Sequence, residues 1–353
     1  MHREHREFKL IFAALRCRQE DPMHIALFHE AVIPPQKYGG TERAIYWLAK
    51  ALALKGHQVT LLAKPGSAVP GVRVMALPPK ELRPASGSLD SLIPQECDLV
   101  HLFGTPSVLP KKPFLVTIEG NGQPGEKFHP NTVFVSRKHA EIHGSSHYVY
   151  NGLDPDDFPC DVERDDYLVF LAKASWSVKN LAGAIQIAKA AGIPLKIMGS
   201  RNWPLNLHRL RPAWGGIEYC GMLGDHEKRK ILRKARGLLF PVVWHEPFGV
   251  ALTEALASGC PVFSTPYGSI PEIVSSDVGF LSNQASEHVE ALKNARFSPA
   301  QCRERVNQGF THFQMAEKYL AYYQQILNDG QLSSEIPETI PYQIPLAWHP
   351  LQD

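Results

Sequence analysis

The chain has 353 residues, 44% hydrophobic and 20% charged, which gives room for two or three domains of ordinary globular composition and argues against wholesale disorder. A formal net charge of +2 is too small to mark a nucleic-acid binder, and no run of about 18 apolar residues is present to cross a membrane. The six cysteines (Cys17, Cys97, Cys160, Cys220, Cys260 and Cys302) are scattered without a C-x-x-C pair, so a disulfide framework or Cys-based zinc site lacks support and a reducing, cytoplasmic setting is expected.

Residues 1–22 read as an N-terminal extension. Their apolar stretch LIFAAL is short, leads into Arg16 and Arg18 and reaches no small-residue cleavage site, so a signal peptide is not expected. Regular structure is expected from Met23, with HIALF as the first strand. A Gly-rich turn at Gly39 and Gly40 follows, then the helix ERAIYWLAKALALKG, with Thr41 as its cap and Gly56 closing it. QVTLLA, VRVMAL, DLVHLF, PFLVTI and TVFVS supply further buried strands, while 78–94 reads as loop. YNGLDPDDFP, residues 150–159, marks a turn or linker.

A second cycle then runs YLVFLA, NLAGAIQIAKAAG, PLKIMG, IEYCGML, DHEKRKILRKARG, LLFPVVW, FGVALTEALASG and PVFST, and HFQMAEKYLAYYQQIL closes it as a long amphipathic helix. Beyond Gly330, Pro337, Pro341, Pro345 and Pro350 predict an irregular tail. Alternating strands and helices predict an α/β chain of two doubly wound, Rossmann-like domains, residues 23–150 and 151–328, with residues 329–353 as a Pro-rich tail. Two such domains place a ligand cleft between the carboxyl ends of their sheets.

The chemistry concentrates in LLFPVVWHEPFGVALTEALASGCPVFSTPYGSIPEIV, residues 238–274. Glu246 follows a strand, Phe248 and Gly249 open a helix whose free N–H groups suit an anion, and Glu254 lies about one and a half turns in. Helical side chains lean toward the N-terminus, so both carboxylates line one end of the cleft, where they suit sugar or ribose hydroxyls. Two Glu at this spacing are ordinarily surface charge; the strand–EPFG–helix–strand context gives them another meaning.

This segment resembles the retaining glycosyltransferases of family 4, of GT-B fold, through E-x(7)-E in HEPFGVALTEALASGCPV and the continuation GSIPE at Gly268–Glu272. The resemblance covers roughly residues 23–328. It implies that Glu246 contacts the transferred sugar, that Glu254 holds ribose hydroxyls, and that Phe248 and Gly249 offer backbone to sugar or phosphate oxygens. YLVFLAKASWSVKN resembles the stretch whose basic pair clamps the nucleotide diphosphate. Here the pair is Lys173 and Lys179, lysine standing for the usual arginine at a spacing one residue longer.

KYGGTERAIYWLAKALALKGHQV resembles the family's first glycine loop, bringing Gly39 and Gly40 to donor or acceptor. His101 matches a family histidine facing the cleft. Glu119 stands where another is usual in T-x-H-G, so that histidine's role does not carry over, although Glu119 is placed to face the acceptor. Ser136, Arg137 and Lys138 lie in a further similar stretch, and the final helix is expected to pack back toward the first domain.

The resemblance implies transfer of a sugar from a nucleotide-diphosphate sugar to a hydroxyl with retention, with lysines in place of a divalent metal and no cofactor. The first 150 residues carry +5 and the rest −3, a balance that suits an anionic glycan or glycolipid acceptor such as a lipopolysaccharide, and peripheral contact with the inner membrane surface. A sugar-nucleotide epimerase or hydrolase of the same fold, or a silent sugar-nucleotide binder, is the alternative. A nicotinamide dehydrogenase is weaker, since no G-x-G-x-x-G follows a strand.

Overall fold

The computed structural model describes residues 21–37, 39–78, 87–122, 126–161, 163–199, 216–338 and 345–352. The reading of residues 1–22 falls almost wholly outside them, as do residues 79–86 of the expected loop.

The first sheet contains β1 (His24–Phe28), β2 (Gln58–Ala63), β3 (Arg73–Ala76), β4 (Leu99–Leu102), β5 (Phe114–Ile118) and β6 (Thr132–Phe134). The second contains β7 (Leu168–Leu171), β8 (Leu195–Met198), β9 (Ile217–Gly221), β10 (Gly237–Phe240), β11 (Val262–Ser264) and β12 (Gly279–Leu281). Every ladder is parallel, for example Ile25 opposite both Val59 and Leu99, and Leu238 opposite both Val169 and Val262. The strand orders are β3-β2-β1-β4-β5-β6 and β12-β11-β10-β7-β8-β9. Each is a doubly wound order that reverses direction beside its first strand, between β1 and β4 and between β7 and β10. The crevice for a ligand opens at the carboxyl ends there.

Strands buried on both faces explain the uninterrupted apolar runs: all five residues of β5 and all four of β4 are buried. Helix α1 (Gly40–Leu54) covers one face with Ala44, Ile45, Trp47, Leu48, Ala51 and Leu52, at helical spacing. Gly39, not Thr41, occupies its N-cap, and no side chain caps it; the chain at Gly39 has φ +152°, and a Cβ would strike Pro35. Gly56, at φ +92°, leaves the helix as expected.

Between and after the strands lie α2 (Arg137–Ile142), α3 (Leu181–Ala191), α4 (Asp225–Leu232), α5 (Val250–Ala257), α6 (Ile270–Ile273), α7 (Ala285–Asn294), α8 (Pro299–Gly309) and α9 (His312–Asp329). The amphipathic α9 folds back over the first sheet and packs on α1 and β5. Its start is fixed by a capping box between Thr311 and Gln314. The expected linker forms a short turn at Pro155–Asp157, and Leu153 bridges to Thr311 just before α9. Among the described residues no helix is long and apolar enough to cross a membrane.

Candidate active-site cleft

A cavity of about 440 Å³ lies where the two switch points face each other, lined by loops following β1, β5, β7, β8, β9 and β10. Gly39, Gly40, Glu42 and Glu119 line it from the first half; Lys179, Lys228, Trp244, Glu246, Phe248, Gly249 and Glu254 line it from the second.

Glu246 is the best-held of these side chains. Its Oε2 lies 2.6 Å from Lys179 Nζ and accepts from Trp244 Nε1 at 2.7 Å. Both charged side chains are nearly buried, at 7% and 8% exposure, so the pair is shielded from salt. Lys179 also lies over the rings of Phe240 and Trp244, 5.1 and 4.6 Å from their centroids. Position comes from the backbone: Glu246 bridges Gly268 in parallel register, and Ser269 N donates to Glu246 O at 2.9 Å.

Gly268 therefore acts on Glu246 without lining the cavity. It sits at φ +65°, and a Cβ there would overlap the backbone N and O of Glu246. Gly268→Ala is expected to cost at least about 1–2 kcal/mol from its left-handed backbone alone, and to displace Glu246 as well. A melting-temperature drop is the expected reading; a wild-type melting temperature would reject it.

Glu254, inside α5, sits in a charge cluster built from both halves. Lys228 Nζ lies 2.5 Å from its Oε1, and Arg43 Nε, from α1, 3.7 Å. Asp225 completes the set, 2.6 Å from Arg43 Nη2 and 3.2 Å from Lys228 Nζ. Burial pushes the Asp225 carboxyl up, but Lys228 and Arg43 outweigh it and hold the group below its ordinary value. Burial works against the Arg43 guanidinium, yet Glu254 and Asp225 leave it raised. Two cations and two carboxylates make the cluster neutral. Between Glu246 and Glu254, α5 begins at Val250 with Gly249 in the N-cap position and no side chain capping it, so its first amides face the cavity.

Glu119, at the end of β5, accepts from Asn151 Nδ2 at 2.8 Å through Oε2, while its Oε1 has neither solvent contact nor hydrogen-bond partner. Burial lifts this carboxyl to about 7; the Asn151 bond opposes the rise and the nearby Glu42 adds to it. Raised above its unfolded value, the group favours the folded state at low pH, and the advantage disappears as pH rises through about 7. Glu119→Gln is therefore expected to melt above the wild type at pH 8 and beside it at pH 5, a comparison that a melting series across pH decides.

Other sequence candidates fall elsewhere. His101 does not line the cleft: it is wholly buried beneath α9, 2.7 Å from both Tyr323 Oη and Thr117 Oγ1. Burial pushes its imidazole down to about 3, so it is a neutral core residue. Lys173 stands outside the lining, its Nζ 4.6 Å from the Trp176 ring centroid. Ser136 donates to Pro247 O at 2.6 Å, while Arg137 N and Lys138 N donate to Glu272, which also accepts from Tyr150 Oη. That trio ties the two halves together beside the cavity.

Sequence reading passed over Lys228, Arg43, Trp244 and Asn151. Lys228 was hidden in the charge run DHEKRK, where a solvated face is the ordinary expectation. No cluster of three or more His, Cys, Asp or Glu able to hold a metal occurs among the described residues.

Residues 160–325 match the family described as Glycosyl transferases group 1. A trehalose synthase of Pyrococcus horikoshii is 32% identical over 108 residues, 28% of this chain and 26% of that protein. An O-antigen chain mannosyltransferase B of Escherichia coli is 27% identical over 117 residues, 30% of each. The chain thus spans under a third of these curated relatives. Among solved structures, AviGT4, a glycosyltransferase involved in Avilamycin A biosynthesis, superposes with a TM-score of 0.72 at 23% identity, over 87% of this chain and 98% of that one. The chain has the two-sheet GT-B fold of solved glycosyltransferases, and its second half carries the likeness to glycosyl transferases group 1.

Proposed function

We propose that the protein is a retaining, family 4-like glycosyltransferase that moves a sugar from a nucleotide-diphosphate sugar to a hydroxyl of a glycan or glycolipid acceptor. The observation that carries this reading is the convergence of Lys179 and Trp244 on Glu246, across the open N-terminus of α5 from Glu254. A hexose offers hydroxyls, a ribose offers a diol, and a diphosphate brings negative charge; this wall has carboxylates for the first two and amides with a lysine for the third.

Glu246 positions the donor sugar and supports positive charge growing on its ring. Glu254 takes the ribose hydroxyls, with Lys228 and Arg43 fixing its rotamer. Lys179 and the α5 amides stabilise charge on the departing diphosphate, a task of electrostatic preorganisation that calls for no enzyme nucleophile. The leaving phosphate then helps take the acceptor proton on the same face, and lysine stands in for a divalent cation. The basic first half, which supplies the opposite wall, suits an anionic acceptor such as a lipopolysaccharide, reached by peripheral contact at a membrane surface.

A thermal-shift panel of UDP, GDP, ADP and their sugar conjugates, run with EDTA in the buffer, tests the donor site. One nucleotide series raising the melting temperature of the wild type, and failing with Glu254→Ala, is the expected result; a ligand at a hundred times its Kd adds about 2.7 kcal/mol. No shift with any nucleotide at millimolar concentration rejects the reading.

A further inference from the structure

The described segment 345–352 lies beyond the family-matched region, which ends at residue 325. It runs across the carboxyl-end loops of the second sheet. Leu346 N donates to Val243 O at 2.7 Å, in the loop after β10, and Tyr267 Oη donates to Ala347 O at 2.6 Å, in the loop after β11. After β12, His349 N donates to Asn283 O and Ala285 N to His349 O, both at 2.9 Å. At its end Leu351 is held by the Gln186 side chain of α3 through two bonds, of 3.0 and 3.2 Å.

Two of these contacts flank Glu246. Val243 N donates onward to Val178 O at 2.8 Å, so Leu346, Val243 and Val178 are tied in a row. The residues following Val178 and Val243 are Lys179 and Trp244, the two donors to Glu246 Oε2. Tyr267 precedes Gly268, whose backbone bridges Glu246.

We propose that residues 345–352 form a positioning strap for the cleft, a backbone tie that holds the loops carrying Lys179, Trp244 and Gly268 in register around Glu246. The strap is a positioning element and touches none of the cavity-lining carboxylates itself. Pro345, Ala347, His349 and Pro350 are exposed. Trp348 and Leu351 are half-buried against the core and anchor the strap, while its backbone ties act on the local order of the loops.

The bond to Val243 comes from a backbone amide, which gives a specific test in the full-length protein. Leu346→Pro removes that amide and Leu346→Ala keeps it. Hydrogen–deuterium exchange of peptides spanning 242–249, without ligand, is expected to quicken about tenfold in Leu346→Pro and to match the wild type in Leu346→Ala. With melting temperatures held, kcat/KM for the donor should fall about tenfold in Leu346→Pro alone. Gln186→Ala, which frees the far end at Leu351, should move both readouts the same way and serves if Leu346→Pro does not fold.

Unchanged exchange in Leu346→Pro, or an alanine variant as impaired as the proline one, overturns the strap. The kinetic arm rests on the transferase reading and the exchange arm does not. A wild type without transfer activity therefore sinks that reading while exchange still decides the strap.

Discussion

On the transferase reading proposed above, Glu246→Ala is expected to lower kcat/KM for sugar transfer by about two to three orders of magnitude, the cost found when a preorganised electrostatic group is removed from a reacting centre. Much of the protein is committed to this one carboxylate. Two donors converge on its Oε2, its backbone is clamped against Gly268 and Ser269, and its partner Lys179 is nearly buried. Alanine also leaves the Lys179 ammonium without its counter-charge, and breaking a buried pair costs about 3–5 kcal/mol of stability. A loss of activity in the alanine variant alone would therefore be ambiguous. Glu246→Gln resolves it, because the amide keeps the volume and can still accept from Lys179 and Trp244. The expected result is a folded glutamine variant that melts below the wild type, because Lys179 loses its counter-charge, but above the alanine variant, with a kcat reduced by a similar factor. A glutamine variant with wild-type kcat would remove Glu246 from the chemistry.

Which parts of this site the sequence discloses follows from how far apart the interacting residues lie. Glu246 and Glu254 are legible because one strand, one turn and one helix carry both, so spacing translates directly into geometry. The long parallel strands are legible as apolar runs for the same local reason. Arg43 is not: its pairing with Asp225 spans 182 positions, and nothing near either residue announces the other. His101 fails for a different reason. Every residue of β4 is buried, so no alternation of polar and apolar positions shows which face meets the cleft, and the aromatic cover from Tyr319 and Tyr323 comes from α9, with Tyr323 222 positions away. In the segment after GSIPE, β12 is only three residues long and α7 and α8 are largely polar, which leaves too little periodicity to declare them. The tail reads as irregular from its prolines, and its described residues 331–338 and 345–352 form neither helix nor strand. Its hydrogen bonds to four separate elements are a property of the folded sheet and have no local signature.

Arg43→Ala should be strongly destabilising, by about 3–5 kcal/mol, the range for removing one member of a buried ion pair. Arg43 is 5% exposed and is the side chain through which the first half reaches the neutral cluster around Glu254. It also donates to the carbonyl oxygens of Lys37 and Gly39, so alanine frees the glycine loop as well. With it gone, Glu254 is left to Lys228, and Asp225 to Lys228 and the more distant Arg229 at 4.0 Å, so the cluster loses a positive charge in a poorly hydrated place. A double-mutant cycle isolates the pair: Asp225→Ala in the Arg43→Ala background should cost little more than Arg43→Ala by itself, whereas independent sites would add in full. The pH dependence has a definite sign. Asp225 is held below its ordinary value of 3.8, so its contribution is present above that pH and is lost as pH falls through the folded value. The coupling energy measured at pH 7 should accordingly shrink below about pH 4. Additive losses at pH 7 would mean that Arg43 and Asp225 are not coupled, and that Arg43 serves the loop it caps.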